Sequence, residues 1–402
     1  MSTRMKGGIT APKGFLAAGI HSGIKKTSQL DLALIVSEKP GPIAGVFTSN
    51  TLPAAPVILD RLHLKKGIGQ ALIVNSGNAN AFTGPEGLAH AREMGRRVAD
   101  QLNIPHYYVF VGSTGVIGVP LPMPALRNGI PALMLRLRKA GFKEAARAIM
   151  TTDTRPKEIA VQHRIGGKMV TIGGIAKGSG MIHPDMATML AYLTTDVVID
   201  QKTLQKTLRT VTNQSFNCIS VDGETSTNDT VLCLANGLAG NTRIRGASSA
   251  HTQFQNLLHE VCHFLAMEIC RDGEGATKII KIEISGASSH KAAKQFAQTL
   301  ATSPLVKTAI FGADPNWGRI IAALGRAGLP LHPNRIVIAF NGLPIVKDGR
   351  GLGPRIEAQI QKIMRRPSFT ISVSLGTGTG SSTIWTTDLT YDYITINASY
   401  RS

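Results

Sequence analysis

Short runs of apolar residues, unbroken or alternating with polar ones, recur along the chain and predict strands. They are LALIV (Leu32 to Val36), ALIV (Ala71 to Val74), YYVFV (Tyr107 to Val111), KIIKIEIS (Lys278 to Ser285), RIVIAF (Arg335 to Phe340) and FTISVSL (Phe369 to Leu375). Between them apolar residues return at the three- and four-residue spacing of a helix lying on a core. Leu88, Ala91, Met94, Val98 and Leu102 do so after the turn signal Gly84-Pro85, and Phe254, Leu257, Leu258, Val261 and Leu265 form a second stripe. Ala293, Phe296, Ala297 and Leu300 form a third, closed by Ser303-Pro304, and GLGPRIEAQIQKIM offers a fourth helix after Gly353-Pro354. No Pro-rich or Gly/Ser-rich linker and no repeat of fixed period divides the chain. The mixture predicts one compact body of layered α/β architecture.

Composition narrows the partners. At 402 residues, 43% hydrophobic and 17% charged, the chain is that of a globular protein with a large core. Forty-four Lys and Arg against 25 Asp and Glu leave +19, which raises nucleic acid, a membrane surface or small anions. The basic residues are scattered. The densest spots, RLRKAGFKEAAR (Arg136 to Arg147) and IMRRP (Ile363 to Pro367), lack the interleaved aromatics of a single-strand binding groove. Nucleic acid is therefore not expected as a partner, whereas acidic small substrates fit the charge. The N-terminus has no apolar core of signal length and no run of 18 apolar residues occurs, so no membrane partner is expected and the cytoplasm is the expected place. Cys218, Cys233, Cys262 and Cys270 show no CxxC spacing and read as reduced core thiols. His259, Cys262 and His263 share a helical face, but that helix already needs its apolar stripe, and no metal site is expected.

Three glycine-rich turns follow predicted strands: VNSGNANAFTGPEG after Val74, VGSTGVIG after Val111 and SLGTGTGSST after Leu375. None pairs a GxGxxG turn with a later acidic residue, and GxxxxGK[ST] is absent, so no nucleotide cofactor is indicated. Such turns can instead expose backbone N–H groups to a developing oxyanion. Thr114-Gly115 is the best candidate, beside the plainer reading of a tight turn that needs glycine. In KGSGMIHPDMATMLAYLTTD (Lys177 to Asp196), Thr188 reads either as a β-branched core residue or as a nucleophile. A threonine hydroxyl needs a base. If the preceding bond is cut, the freed α-amine, with a pKa of about 7.7–8.0, lies beside the hydroxyl and supplies one.

KGSGMIHPDMATML closely resembles the self-cleavage segment of the ornithine acetyltransferases, also called bifunctional glutamate N-acetyltransferases, of the cyclic arginine pathway. AGVFTSNTLPAAPV (Ala44 to Val57), VNSGNANAFTG (Val74 to Gly84), STGVIG (Ser113 to Gly118), IMTTDTRPK (Ile149 to Lys157) and SFNCISVDGETSTNDT (Ser215 to Thr230) resemble family blocks in family order. RDGEGATK (Arg271 to Lys278), FGADPNWGRI (Phe311 to Ile320) and the C-terminal WTTDLTYDYITINASYRS continue the series, so the resemblance spans essentially the whole chain.

The resemblance implies self-cleavage between Ala187 and Thr188, giving an α chain of residues 1–187 and a β chain of residues 188–402 that form one catalytic unit. It implies that Thr188 takes the acetyl group of N2-acetylornithine and passes it to glutamate, with Thr114 and Gly115 as the oxyanion hole. Substrate contacts carry over onto Thr152 or its neighbour Thr151, Lys177, Thr188, Glu274, Asn397 and Ser402. The implied fold is the layered, self-cleaving α/β sandwich with sheets packed between helices that is shared with aminopeptidase-like relatives, and the implied assembly is a heterotetramer of two α and two β chains. No cofactor is implied, and acetyl-CoA is the further co-substrate that the resemblance admits. Asp185 stands where members of the family usually have asparagine. A self-processing amidase or aminopeptidase of the same fold is the alternative. Lys177, Glu274 and the terminal NASYRS argue against it, because a general peptidase would not need them.

Overall fold

The computed structural model describes residues 2–183 and 189–399. Ala187, Thr188 and the neighbouring Asp185, together with Ser402, lie outside the described residues. The first nine strands are β1 (Thr3–Arg4), β2 (Phe15–Ile20), β3 (Leu32–Phe47), β4 (Ile68–Asn78), β5 (Val109–Val116), β6 (Lys157–Ile165), β7 (Lys168–Lys177), β8 (Leu190–Thr195) and β9 (Thr230–Ala235). The helices beside them are α1 (Ala55–Leu64), α2 (Gly84–Leu102), α3 (Met123–Met134), α4 (Phe142–Ala148), α5 (Gln201–Asn213) and α6 (Ser249–Arg271). The C-terminal region adds β10 (Ile279–Ala287), β11 (Val337–Phe340), β12 (Leu343–Lys347), β13 (Arg350–Gly351), β14 (Ser368–Ser374) and β15 (Gly380–Thr387). Its helices are α7 (His290–Ala301), α8 (Pro304–Phe311), α9 (Trp317–Arg326), α10 (Pro354–Met364) and α11 (Tyr391–Ser399).

The long β3 organises the main body. Its first half pairs with β2 and β4. After a register shift between Val36 and Gly41, its second half pairs with β9, so the sheet β1-β6-β7-β8-β9 joins the sheet containing β4 and β5 through one strand. The period of two then sorts side chains into layers. Leu32, Leu34 and Val36 face a core with α1, α2 and α3, while Ala33 and Ile35 face inward to a second core with Leu190 and Tyr192 of β8. On the other side of β8, Ala191 and Leu193 meet Val211 of α5 and Val261 and Leu265 of α6. The order helix, sheet, sheet, helix is the layered sandwich that the family resemblance implies. The inner faces approach so closely at one point that a Cβ on Gly112 of β5 would collide with the Tyr192 hydroxyl.

The second sheet, β13-β12-β11-β14-β10-β15, buries Ile282, Ile371 and Ile384 under α7 to α10 in a core of its own. The chain thus carries a second sheet-and-helix layer that the absence of a linker did not reveal. Two further expectations shift. Tyr107 and Tyr108 belong to a single 3-10 turn, and the strand begins at Val109, because Pro105 starts the turn before the ladder can form. β4 and β5 also run on past Val74 and Val111, so NSGN and GSTGV are strand and not turn. Three of the four cysteines are buried core residues, and Cys218 is half-buried.

Leu193 is fully buried in the layer against α6. Leu193→Ala is expected to cost about 2–5 kcal/mol, read as a lowered midpoint in urea unfolding with an unchanged slope.

Candidate active site

The site is built where β5, β7 and the loops after α4 and α6 converge. Thr114 and Gly115 lie on β5 where its parallel ladder with β4 becomes irregular, Asn78 pairing with both Thr114 and Val116. Gly115 has φ of +132°, and a Cβ there would overlap the backbone of Gly77 and Asn78, so only glycine permits this close approach. Lys177 ends β7. It is 3% exposed, and its Nζ reaches the Thr114 hydroxyl at 3.4 Å.

The loop after α4 is shaped by one carboxylate. Asp153 Oδ2 accepts the Thr151 N–H at 3.0 Å, and Oδ1 accepts the Gly178 N–H at 2.7 Å and Lys157 Nζ at 2.7 Å. Lys157, itself wholly buried, also donates to Asp272 Oδ2 at 2.6 Å, and Asp272 accepts the backbone N–H and hydroxyl of Thr154. The loop is thereby tied to β7 and to the turn after α6. Thr152 Oγ1 lies 2.7 Å from Ser179 Oγ, and the Ser179 carbonyl accepts the Glu274 N–H at 2.9 Å. Glu274 Oε2 in turn accepts from Asn397 Nδ2 at 2.9 Å, which brings α11 against the site.

These residues form a cleft open to solvent, lined by Thr114, Gly115, Thr151, Thr152, Lys177, Glu274 and Asn397. Every sequence-predicted site residue within the described residues is gathered there, although 283 positions separate Thr114 from Asn397 (397 − 114). Thr188 and Ser402 fall outside the described residues. The chain leaves β7 at Lys177 and enters β8 at Leu190, its ladder partner, so the segment carrying the proposed cut starts and ends beside the cleft. Sequence reasoning missed Ser226 and Asn228, which also line the cleft, and the supporting Asp153. Asn228 Nδ2 donates to the carbonyls of Ala79 and Ser113 at 2.7 and 2.8 Å, tying the cleft wall to β5. An Asp two residues after Thr151 was the one legible signal, since short acidic side chains cap nearby backbone N–H groups.

The charges in the cleft are poised by burial. Loss of water pushes the Lys177 ammonium below its ordinary value, Asp153, Glu274 and Asp229 opposing this and Lys157 adding to it. Burial alone would raise the Asp153 carboxyl, but Lys177, Lys157 and the Gly178 N–H together hold it at about 2. Among the described residues no group of His, Cys, Asp and Glu could hold a metal ion, and His259 and His263 stack on each other beside Trp385. No described helix is long and apolar enough to cross a membrane.

The fold and the cleft together define a class, a mixed α/β enzyme whose small charged site lies at the open end of two facing sheets. Residues 16–402 match the ArgJ family, and the chain belongs to that family. The arginine biosynthesis bifunctional protein ArgJ of Symbiobacterium thermophilum is 48% identical over 400 residues, covering 99% of each chain. Its counterpart in Geobacter sulfurreducens is 47% identical over 390 residues, 97% of this chain and 99% of its own. A crystal structure of the ArgJ protein of Bacillus halodurans, 42% identical, matches with a TM-score of 0.50 over 52% of this chain and 98% of its own.

Lys157→Met leaves Asp153 and Asp272 buried without their shared cation and is expected to cost about 3–5 kcal/mol in chemical unfolding. Acid acts on the same group. Asp153 has a folded value of about 2, below its unfolded value, so its stabilisation is present above about pH 4 and is lost as the pH falls toward 2. Urea midpoints measured across that window should fall more steeply for the wild type than for Asp153→Asn.

Proposed function

We propose that this chain transfers the acetyl group of N2-acetylornithine to glutamate through an acetyl-Thr188 enzyme, yielding ornithine and N-acetylglutamate in arginine biosynthesis. Family membership supports the activity, and one observation carries the mechanism. The cleft unites residues from both sides of the Ala187–Thr188 bond, with Thr114, Gly115, Thr152 and Lys177 before it and Glu274 and Asn397 after it.

In the proposed cycle the chain first cuts itself before Thr188, and the new α-amine becomes the base for the hydroxyl beside it. The hydroxyl oxygen attacks the acetyl carbonyl of acetylornithine while its proton passes to the amine. The developing oxyanion is met at Thr114 and Gly115, where one such donor is worth about 2.7–4 kcal/mol of barrier. The proton then goes to the departing α-nitrogen of ornithine, leaving the ester. Glutamate enters the vacated cleft, its amine attacks the ester carbonyl, and the same groups run in reverse. Lys177 pairs with the α-carboxylate that donor and acceptor share, and Thr152 or Thr151 supplies a hydroxyl. Glu274 faces the δ-ammonium of ornithine, with Asn397 holding the carboxylate in place; Ser402 completes the substrate contacts in this reading.

Cleavage would not release the pieces. β8 and β9 follow the bond, yet they pair with β7 and β3, which precede it. The two fragments, residues 1–187 and 188–402, stay associated, and two such units form the heterotetramer. Acetyl-CoA serves as a second acetyl source in this reading, no cofactor takes part, and the cytoplasm is the place of action.

A denaturing gel should show two fragments for the wild type and one chain of 402 residues for Thr188→Ala. Incubation with acetylornithine and glutamate should release ornithine and N-acetylglutamate together; acetate in place of N-acetylglutamate would mean that water is the acceptor and the enzyme an amidase. Lys177→Met is expected to reduce kcat/KM by about 10- to 100-fold, the worth of one hydrogen bond to a charged group. In the wild type, KM for acetylornithine should rise with pH earlier than an ordinary lysine would allow, because the Lys177 value is lowered by burial and its charge is lost as pH climbs through it.

A further inference from the structure

A second hollow lies between α1, α2 and the 3-10 turn that begins at His106. Leu59 and His63 are buried in its floor, and Arg92, Arg96 and His106 stand exposed around it. Four basic side chains thus line one depression, and among the described residues no carboxylate does. The net positive charge of the chain does not account for this by itself. On the same helix Arg97 is paired with Glu93, which also takes Arg127 of α3, whereas Arg92 and Arg96 have no hydrogen-bond or ion-pair partner among the described residues. Four positions apart on a helix, two like charges are neighbours and repel. Gly95, between them in sequence, adds no side chain to the space that it lines.

His63 supplies the floor of the hollow with a switchable donor. A carbonyl only accepts, so the contact of 2.9 Å between Nδ1 and the Val109 oxygen places a proton on Nδ1. Nε2 is the ring nitrogen left for a ligand, a lone pair in the neutral ring and a donor once the ring gains a proton. Burial holds the imidazole below its ordinary value, the Val109 bond opposing this and His106 and Arg92 adding to it. Those two bases face it from the turn and from α2. Phe110 of β5 offers it only a ring at right angles, and Asp60, the acid on its own helix, is fully buried and accepts the Val111 N–H at 2.9 Å.

We infer that this hollow is a binding site for a small phosphoryl anion, held by the guanidinium groups of Arg92 and Arg96 and by the rings of His63 and His106. Two guanidinium forks suit a tetrahedral group that offers acceptor oxygens on several sides, whereas a planar carboxylate is filled by one fork. A bound dianion removes the repulsion between the arginines and favours the charged form of His63. Binding therefore takes up a proton, and affinity rises as the pH falls toward the ordinary histidine range. The site is separate from the acetyl-transfer chemistry: Val109 precedes Thr114 by about 17 Å of strand on β5. The inference stands whether or not the chain is cut.

Titration calorimetry of the full chain with glycerol phosphate, repeated near neutral pH in buffers of different ionisation enthalpy, tests it. One saturable site per chain is expected, competed by inorganic phosphate and not by succinate. Arg92→Gln with Arg96→Gln should weaken binding by about 10- to 100-fold, the worth of a hydrogen bond between charged groups. Arg365→Gln with Arg366→Gln, an exposed basic pair elsewhere, should leave the affinity as in the wild type. His63→Asn, whose amide nitrogen can still donate to the Val109 carbonyl, should bind more weakly and take up less proton than the wild type. No saturable binding, an equal loss in the Arg365/Arg366 variant, or succinate competing as well as phosphate would overturn the inference. Proton uptake unchanged in His63→Asn would remove His63 from the site and overturn the pH dependence.

Discussion

The candidate site depends on one dry ammonium. Lys157 is buried between Asp153 and Asp272, and each of those carboxylates also accepts backbone N–H, Asp272 taking the Thr154 hydroxyl as well. The arrangement satisfies the condition under which buried ions persist, because every charge has both a counter-charge and hydrogen bonds to spare main-chain groups. Its effect is geometric. Asp153 fixes the loop carrying Thr151 and Thr152 together with Gly178, and Asp272 fixes the turn that leads to Glu274. Three walls of the cleft are thus referred to a single point, and Lys177 is left as the cation that faces inward.

The same economy shows in the sheets. β3 is long enough to belong to both, and the strands on either side of the proposed cut alternate within one ladder, β7 beside β8 and β9 beside β3. Positions far apart in sequence are therefore adjacent in hydrogen bonding, and the cleft at the sheets' open end draws on both halves of the chain. The second sheet contributes through its neighbours: α11 follows β15 and delivers Asn397 to Glu274.

Much of this could be read from the sequence, for reasons that differ by residue. Apolar periodicity located α2, α6 and α7 because each buries one stripe against a single layer, and it found the cores of β3, β4, β10 and β14. It could not separate the two sheets' cores, since no change in composition marks the chain's passage from α6 to β10. The glycines at 77 and 115 read as turns but are strand residues, because the property that favours glycine in a turn also lets two strands nearly touch. Gathering of the cleft residues was legible only through the resemblance to a family, as spacing carries no information about contacts across 283 positions (397 − 114). Asp153 was legible as a cap for the nearby Thr151 N–H, but not as the partner of a buried lysine and of Gly178 on another strand. A buried acid looks like any surface acid until its partners are known.

The interleaving of strands across the proposed cut carries a consequence for how the protein matures. The cleft draws residues from both sides of position 187 together only once distant strands such as β3 and β9 have paired, so the complete site exists only in a molecule that has already folded. On the proposed mechanism, the base appears only when the chain breaks. A misfolded copy would keep its peptide bond and stay chemically silent. On that mechanism self-cleavage would act as a checkpoint that licenses each molecule individually, without any outside inspector, before it could take up an acetylated substrate.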